Sequence, residues 1–150
     1  MELPRCMVNC ESLVDLKIYF DLYCVLKLPE FLGFTGLKSL NLCKVEFSDS
    51  VVLAMFVSGC PILESLIIYS CVFGNFKILD ITAPRLRNLT INVLAFHGDG
   101  LNCEVIIACP SLVSFDPGYL LKTQTLYRMC YFTLILISLT LQSSKKVAIF

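Results

Sequence analysis

The phrase Leu-x-x-Leu-x-(Leu/Ile) occurs four times in one register, at Leu13/Leu16/Ile18, Leu37/Leu40/Leu42, Leu63/Leu66/Ile68 and Leu86/Leu89/Ile91, and decays at Leu112/Phe115. The first leucines stand 24, 26, 23 and 26 residues apart. Such a period marks one small structural unit repeated along the chain, and a single unit cannot bury its apolar face until a neighbour stacks on it. The chain is therefore constrained to an array whose core is shared between successive repeats.

Phrases of this form, returning every 20–29 residues or so, define leucine-rich repeats. The expected fold is an α/β solenoid of about five irregular repeats, with parallel strands on the concave face and mixed short helices and extended segments on the convex face. Side chains alternate faces along a strand. Leu16, Ile18, Leu40, Leu42, Leu66, Ile68, Leu89 and Ile91 should then point into the core. The residues between them should point to solvent as a grid: Asp15, Lys17 and Tyr19; Ser39, Asn41 and Cys43; Ser65, Ile67 and Tyr69; Asn88, Thr90 and Asn92. Solenoids bind through their extended concave faces, and this mixture of aromatic area, charge and hydrogen-bonding groups suits a protein partner more than a small ligand.

The segment from Phe47 to Gly59 reads as a helix of about two turns, with Asp49 or Ser50 capping its first amides and Gly59 suited to a left-handed position past its end. Val52, Leu53, Phe56 and Val57 share one face of it. The segments from Phe76 to Pro84 and from Glu104 to Pro110 are shorter and more β-branched, and read as extended. Pro61, Pro84 and Pro110 each stand two residues before the first leucine of a phrase, where they fix the entry angle of the strand. Cys71 holds the place where many leucine-rich repeats put an asparagine or cysteine bonded to the neighbouring loop. Val45 holds it one repeat earlier, and Phe73 aligns with Phe47.

Twelve basic residues balance twelve acidic ones, which argues against a nucleic-acid partner. The nine cysteines include no Cys-x-x-Cys pair, and nothing at the start reads as a secretory signal, so they are expected as reduced thiols buried like small hydrophobes. His97, in the loop Phe96-His-Gly-Asp-Gly100, is the one histidine. It reads as a solvated loop residue before it reads as half of a Cys–His pair with Cys103. No phosphate-binding, nucleophile-elbow or metalloprotease motif is present. No catalytic residue, cofactor or metal is expected.

The end of the chain departs from this rhythm. Met129 to Leu141 is thirteen residues without a charge, short of the 20 or so a bilayer span requires. Three readings stay open for it: a terminal strand or helix of the solenoid, unrelated sequence joined to a truncated array, and a membrane tail. Its alternation mildly favours a strand. The expected division is a leucine-rich-repeat domain over residues 1–118 and a divergent apolar segment over 119–150.

Within the phrases, Gly36-Leu-Lys-Ser-Leu-Asn-Leu-Cys-Lys-Val-Glu-Phe47, Val57-Ser-Gly-Cys-Pro-Ile-Leu-Glu-Ser-Leu-Ile-Ile68, Leu79-Asp-Ile-Thr-Ala-Pro-Arg-Leu-Arg-Asn-Leu-Thr-Ile91 and Val105-Ile-Ile-Ala-Cys-Pro-Ser-Leu-Val-Ser-Phe115 resemble the repeats of plant F-box/LRR proteins of the FBD-associated type. The resemblance runs over roughly residues 10 to 116 and does not include the F-box. It implies the target-binding part of a Skp–cullin–F-box ubiquitin ligase, working in the cytoplasm or nucleus. The Skp adaptor would be a partner only if an F-box is supplied elsewhere. The rival expectation is a truncated or nonfunctional structural fragment, poorly folded alone, whose apolar tail draws it to membranes or to degradation, although the shortness of that tail argues against a membrane partner.

Overall fold

A computed structural model describes residues 1–27, 33–74, 77–96, 104–118, 126–129 and 147–149. In chain order the elements are α1 (Arg5–Val8), β1 (Asp15–Val25), β2 (Ser39–Phe47), α2 (Ser50–Ser58), β3 (Ser65–Phe73), β4 (Ile78–Thr82), β5 (Asn88–Phe96), β6 (Glu104–Ala108), β7 (Ser114–Asp116), β8 (Leu126–Met129) and β9 (Val147–Ile149). Two parallel sheets result, one in the order β1-β2-β3-β5-β7 and the other in the order β4-β6-β8-β9. The first carries the leucine phrases; in the second, β4 and β6 come from segments between phrases, and β8 and β9 from beyond the last one.

The phrases align without slippage. Leu16, Leu40, Leu66, Leu89 and Phe115 are successive partners across the first sheet, and Ile18, Leu42, Ile68 and Ile91 form the next rank. Leu16, Ile18, Leu40, Leu42, Leu66, Ile68, Leu89 and Ile91 are all buried. The fold is the expected α/β leucine-rich-repeat solenoid, with a core running continuously from repeat to repeat.

Each strand is entered through the same turn. The amide of the first leucine bonds the carbonyl three residues back, in Leu13→Cys10, Leu37→Phe34, Leu63→Cys60, Leu86→Ala83 and Leu112→Cys109. Pro61, Pro84 and Pro110 stand second in three of these turns, where a fixed φ near −65° is already correct and no amide is required. Immediately after the turn, one carbonyl accepts two amides from the next repeat. Val14 takes Lys38 and Ser39, Lys38 takes Glu64 and Ser65, Glu64 takes Arg87 and Asn88, and Arg87 takes Val113 and Ser114. Backbone hydrogen bonding thus carries the same register as the leucines.

The helix forms where anticipated. Asp49 is its N-cap, its carboxylate accepting from the amides of Val51 and Val52 at 2.9 and 3.2 Å. Leu53, Phe56 and Val57 are buried and Val52 packs beside them. Phe56 stacks on Phe34 with ring centroids 5.5 Å apart. Gly59 corrects one expectation: its φ is −71°, on the right-handed side. The helix runs straight into the Cys60–Leu63 turn, and the Cys60 amide still reaches the Val57 carbonyl, so no reversal is required. The extended segments are β4 and β6, in which Leu79, Ile81, Val105 and Ile107 point inward.

The cysteines divide. Cys60, Cys71 and Cys109 are buried as expected, whereas Cys6 is exposed and Cys10, Cys24 and Cys43 are half-buried. Cys43 is accessible because it occupies an outward-facing strand position. Cys103, Cys130, Phe76, the His97–Gly100 loop and residues 130–141 of the apolar tail lie outside the described residues. Among the described residues, no helix is long and apolar enough to cross a membrane.

Candidate functional site

Every outward residue of the anticipated grid lies in the first sheet, and the strand register arranges them in three rows. Asp15, Ser39, Ser65 and Asn88 form the first row, Lys17, Asn41, Ile67 and Thr90 the second, and Tyr19, Cys43, Tyr69 and Asn92 the third. None of them is buried. Neighbouring strands in a sheet are about 4.8 Å apart, so the rows form an accessible surface of mostly polar and aromatic groups, with Ile67 and Cys43 among them.

The strand β7 adds Ser114 to the first row and Asp116 to the second, both exposed. Reading the phrases alone missed them because Phe115 stands where the second leucine is expected. The signal was present nonetheless, since Phe115 is apolar, pairs with Leu89, and is partly buried against the core.

Charge is concentrated at the β1 end. Asp15 and Lys17, two apart on one face, form an exposed ion pair at 3.7 Å. Beyond the third row, Lys44 lies at φ +55° and Ser70 at φ +50°. These matched left-handed residues each insert one position into the alternation, so that Leu42 and Val45, and likewise Ile68 and Cys71, are buried although they are three apart. The consequence is that Lys44 projects over β1. Its ammonium donates to the Tyr19 hydroxyl at 3.3 Å and to the Asp21 carbonyl at 3.2 Å, and it lies 5.2 Å from the Tyr19 ring centroid. The hydrogen bond with Tyr19 raises the Lys44 pKa, so the charge is held firmly.

The thiols buried beneath this surface are inert at neutral pH. Burial pushes Cys60 and Cys71 up to about 12, far from the thiolate that nucleophilic chemistry requires. Cys71 Sγ donates to the Leu42 carbonyl at 3.4 Å and Cys109 Sγ to the Ile81 carbonyl at 3.5 Å, tying successive repeats together. Among the described residues, no three His, Cys, Asp or Glu side chains are grouped to hold a metal ion. On the convex side, Val51, Ala54 and Met55 of α2 and Ile78 and Asp80 of β4 line an open cleft of about 450 Å³. Its one carboxylate already accepts a hydrogen bond from Thr82.

A parallel solenoid with a laterally registered polar and aromatic face is a repeat-type interaction module. The comparisons with known proteins agree. Residues 1–127 match the family described as FBD-associated F-box protein At5g56370, LRR repeats. The chain belongs to this family. Among its relatives in Arabidopsis thaliana, F-box/FBD/LRR-repeat protein At5g56420 is 30% identical over 135 residues, covering 86% of this chain and 27% of the relative. Putative FBD-associated F-box proteins At5g56560 and At5g53635 are each 37% identical, over 77% and 74% of this chain and 28% and 25% of theirs. The chain thus spans about a quarter of the length of the curated relatives it matches. No solved structure matches it.

Proposed function

We propose that the chain is a target-holding module of F-box-type ubiquitin-ligase receptors, and that residues 1–118 bind a protein partner on the concave face. The observation that carries this reading is the lateral register of accessible side chains across β1, β2, β3, β5 and β7. A surface of this kind offers many weak contacts at fixed spacing, which is what recognition of an extended protein segment uses. The chain acts by holding its partner and makes or breaks no bond.

The ligase role follows from the family alone. The relatives bear F-box in their names, and the Skp adaptor becomes a partner when an F-box is joined to these repeats. The module then works in the cytoplasm or nucleus.

The test is a display screen of an Arabidopsis cDNA library against the 150-residue chain. Each recovered clone is re-measured on the double variant Asn41→Arg/Thr90→Arg and on Val51→Arg of the convex side. Partners lost with the concave variant and kept with the convex one are the expected result. Partners indifferent to the concave variant would refute the assignment of the binding face.

A further inference from the structure

The third row of the grid carries a feature that goes further. Tyr19 on β1 and Tyr69 on β3 are 60% and 49% exposed, and the residue between them on β2 is the small Cys43. Two strand spacings put the two tyrosine backbones about 10 Å apart, and the short side chain at the centre leaves the row lowest there. Ile67, two residues before Tyr69 on the same face, extends the aromatic side of this notch with apolar surface.

The other side is cationic. Lys44 holds its ammonium over the Tyr19 ring, and two of its three N–H donors go to the Tyr19 hydroxyl and the Asp21 carbonyl. Asp21 contributes its backbone, not its carboxylate. Among the described residues no carboxylate lies within ion-pair distance of Lys44, whereas Asp15 and Lys17 nearby satisfy each other, as do Lys38 and Glu64. An accessible positive charge with no carboxylate in ion-pair distance among the described residues therefore stands beside a notch with an aromatic wall.

We infer that this notch is the anchor point of the concave face and takes an acidic protein segment, one carrying an aromatic or large aliphatic side chain next to an aspartate or glutamate. The apolar group lies on Ile67 and Tyr69 above Cys43, and the carboxylate accepts the remaining Lys44 proton. Exposed aromatic side chains at the centre of a patch contribute more to binding than the polar groups around them, and the cation sets the sign of the partner's charge. This inference rests on the reading of the concave face as the binding face.

The test is selection from a random linear peptide library displayed on phage, using the full 150-residue chain. The enriched peptides are then titrated by fluorescence anisotropy against the chain and the variants Tyr69→Ser, Lys44→Asn and Asn88→Arg. All three positions face solvent or are half-buried, and asparagine tolerates the left-handed backbone at position 44. Circular dichroism establishes that each variant is folded. The expected peptides pair an aromatic or large aliphatic residue with an acidic one within two positions. Tyr69→Ser weakens them about tenfold or more, and Lys44→Asn about threefold. Peptides that lack the pairing, are lost on Asn88→Arg and are kept by the other two variants overturn the notch while leaving the concave reading intact. Peptides kept by all three variants, or a failure to enrich any peptide, overturn both.

Discussion

The Cys71 thiol donates a hydrogen bond to the Leu42 carbonyl of the preceding strand at 3.4 Å, reaching back from the gap in the pairing of the two strands to its last paired residues. The pairing of β2 with β3 runs from Ser39 and Ser65 to Cys43 and Tyr69 and resumes at Glu46 and Val72. The left-handed residues Lys44 and Ser70 occupy the gap. A buried hydrogen bond of this kind contributes about 0.5–1.5 kcal/mol net to stability. Cys71→Val fills the space without a donor and should lower the unfolding free energy by about that amount. Cys71→Ser keeps an O–H in reach and should lose less. Urea titration of both variants checks the order, and the reverse order would show that packing at this position outweighs the bond.

Stability should also fall in alkali. Burial raises Cys60 and Cys71 from 9.0 to about 12 in the folded chain. The unfolded chain therefore releases these protons first, and between those two values it binds fewer protons than the folded one. Stability contributed by the neutral thiols is complete below pH 9 and is lost as pH rises towards 12. Each thiol steepens the decline by about 1.4 kcal/mol per pH unit in that window. Thermal melts from pH 7.5 to 10.5 check this. A double Cys60→Ala/Cys71→Ala variant should be less stable at pH 7.5 and show a shallower alkaline decline.

How much of this was legible beforehand depends on which interaction places each residue. The leucine ranks were readable because apolar burial acts through period and spacing, and Leu16, Leu40, Leu66 and Leu89 align as their positions in the phrases require. The outward grid followed from the same alternation. Lys44 over Tyr19 was not readable, since neither lysine nor serine advertises a left-handed backbone. The trace it leaves is a slip of phase, with Leu42 and Val45 three apart where a simple strand would bury residues two apart. The conformation of Gly59 was misread for a related reason. A glycine after a helix suits a reversal, but here the following turn continues in the same hand.

The alternation makes a sharp contrast between neighbours. Leu66 is fully buried in the first rank, while the adjacent Ile67 is half-buried on the opposite face. Leu66→Ala should cost about 2–5 kcal/mol, as should Leu40→Ala and Leu89→Ala, because each leaves a cavity between two repeats that cannot close independently. Ile67→Ala should change stability by about 1 kcal/mol or less. Chemical denaturation of the four variants checks the pattern, and comparable losses at positions 66 and 67 would contradict the assigned faces.

Gly36 presents a different constraint, set by backbone rather than side chains. It lies in the turn that enters β2, and a Cβ placed on it would collide with the Glu11 carbonyl oxygen of the preceding turn and come within 3.3 Å of the Leu13 carbonyl oxygen. The equivalent turn positions, Ser12, Ile62, Arg85 and Ser111, carry side chains, so the turn geometry itself does not require glycine. What requires it is the close approach of the first two repeats. Gly36→Ala must push their turns apart, and since the Val14 carbonyl accepts both Lys38 and Ser39 just beyond, the displacement strains that junction as well. The expected loss is about 1–3 kcal/mol. Hydrogen exchange should register it first as faster exchange at the Lys38 and Ser39 amides, with the Arg87 and Asn88 amides, two repeats away, protected as before. Uniform acceleration across all strands would instead mean that the repeats open as one cooperative unit.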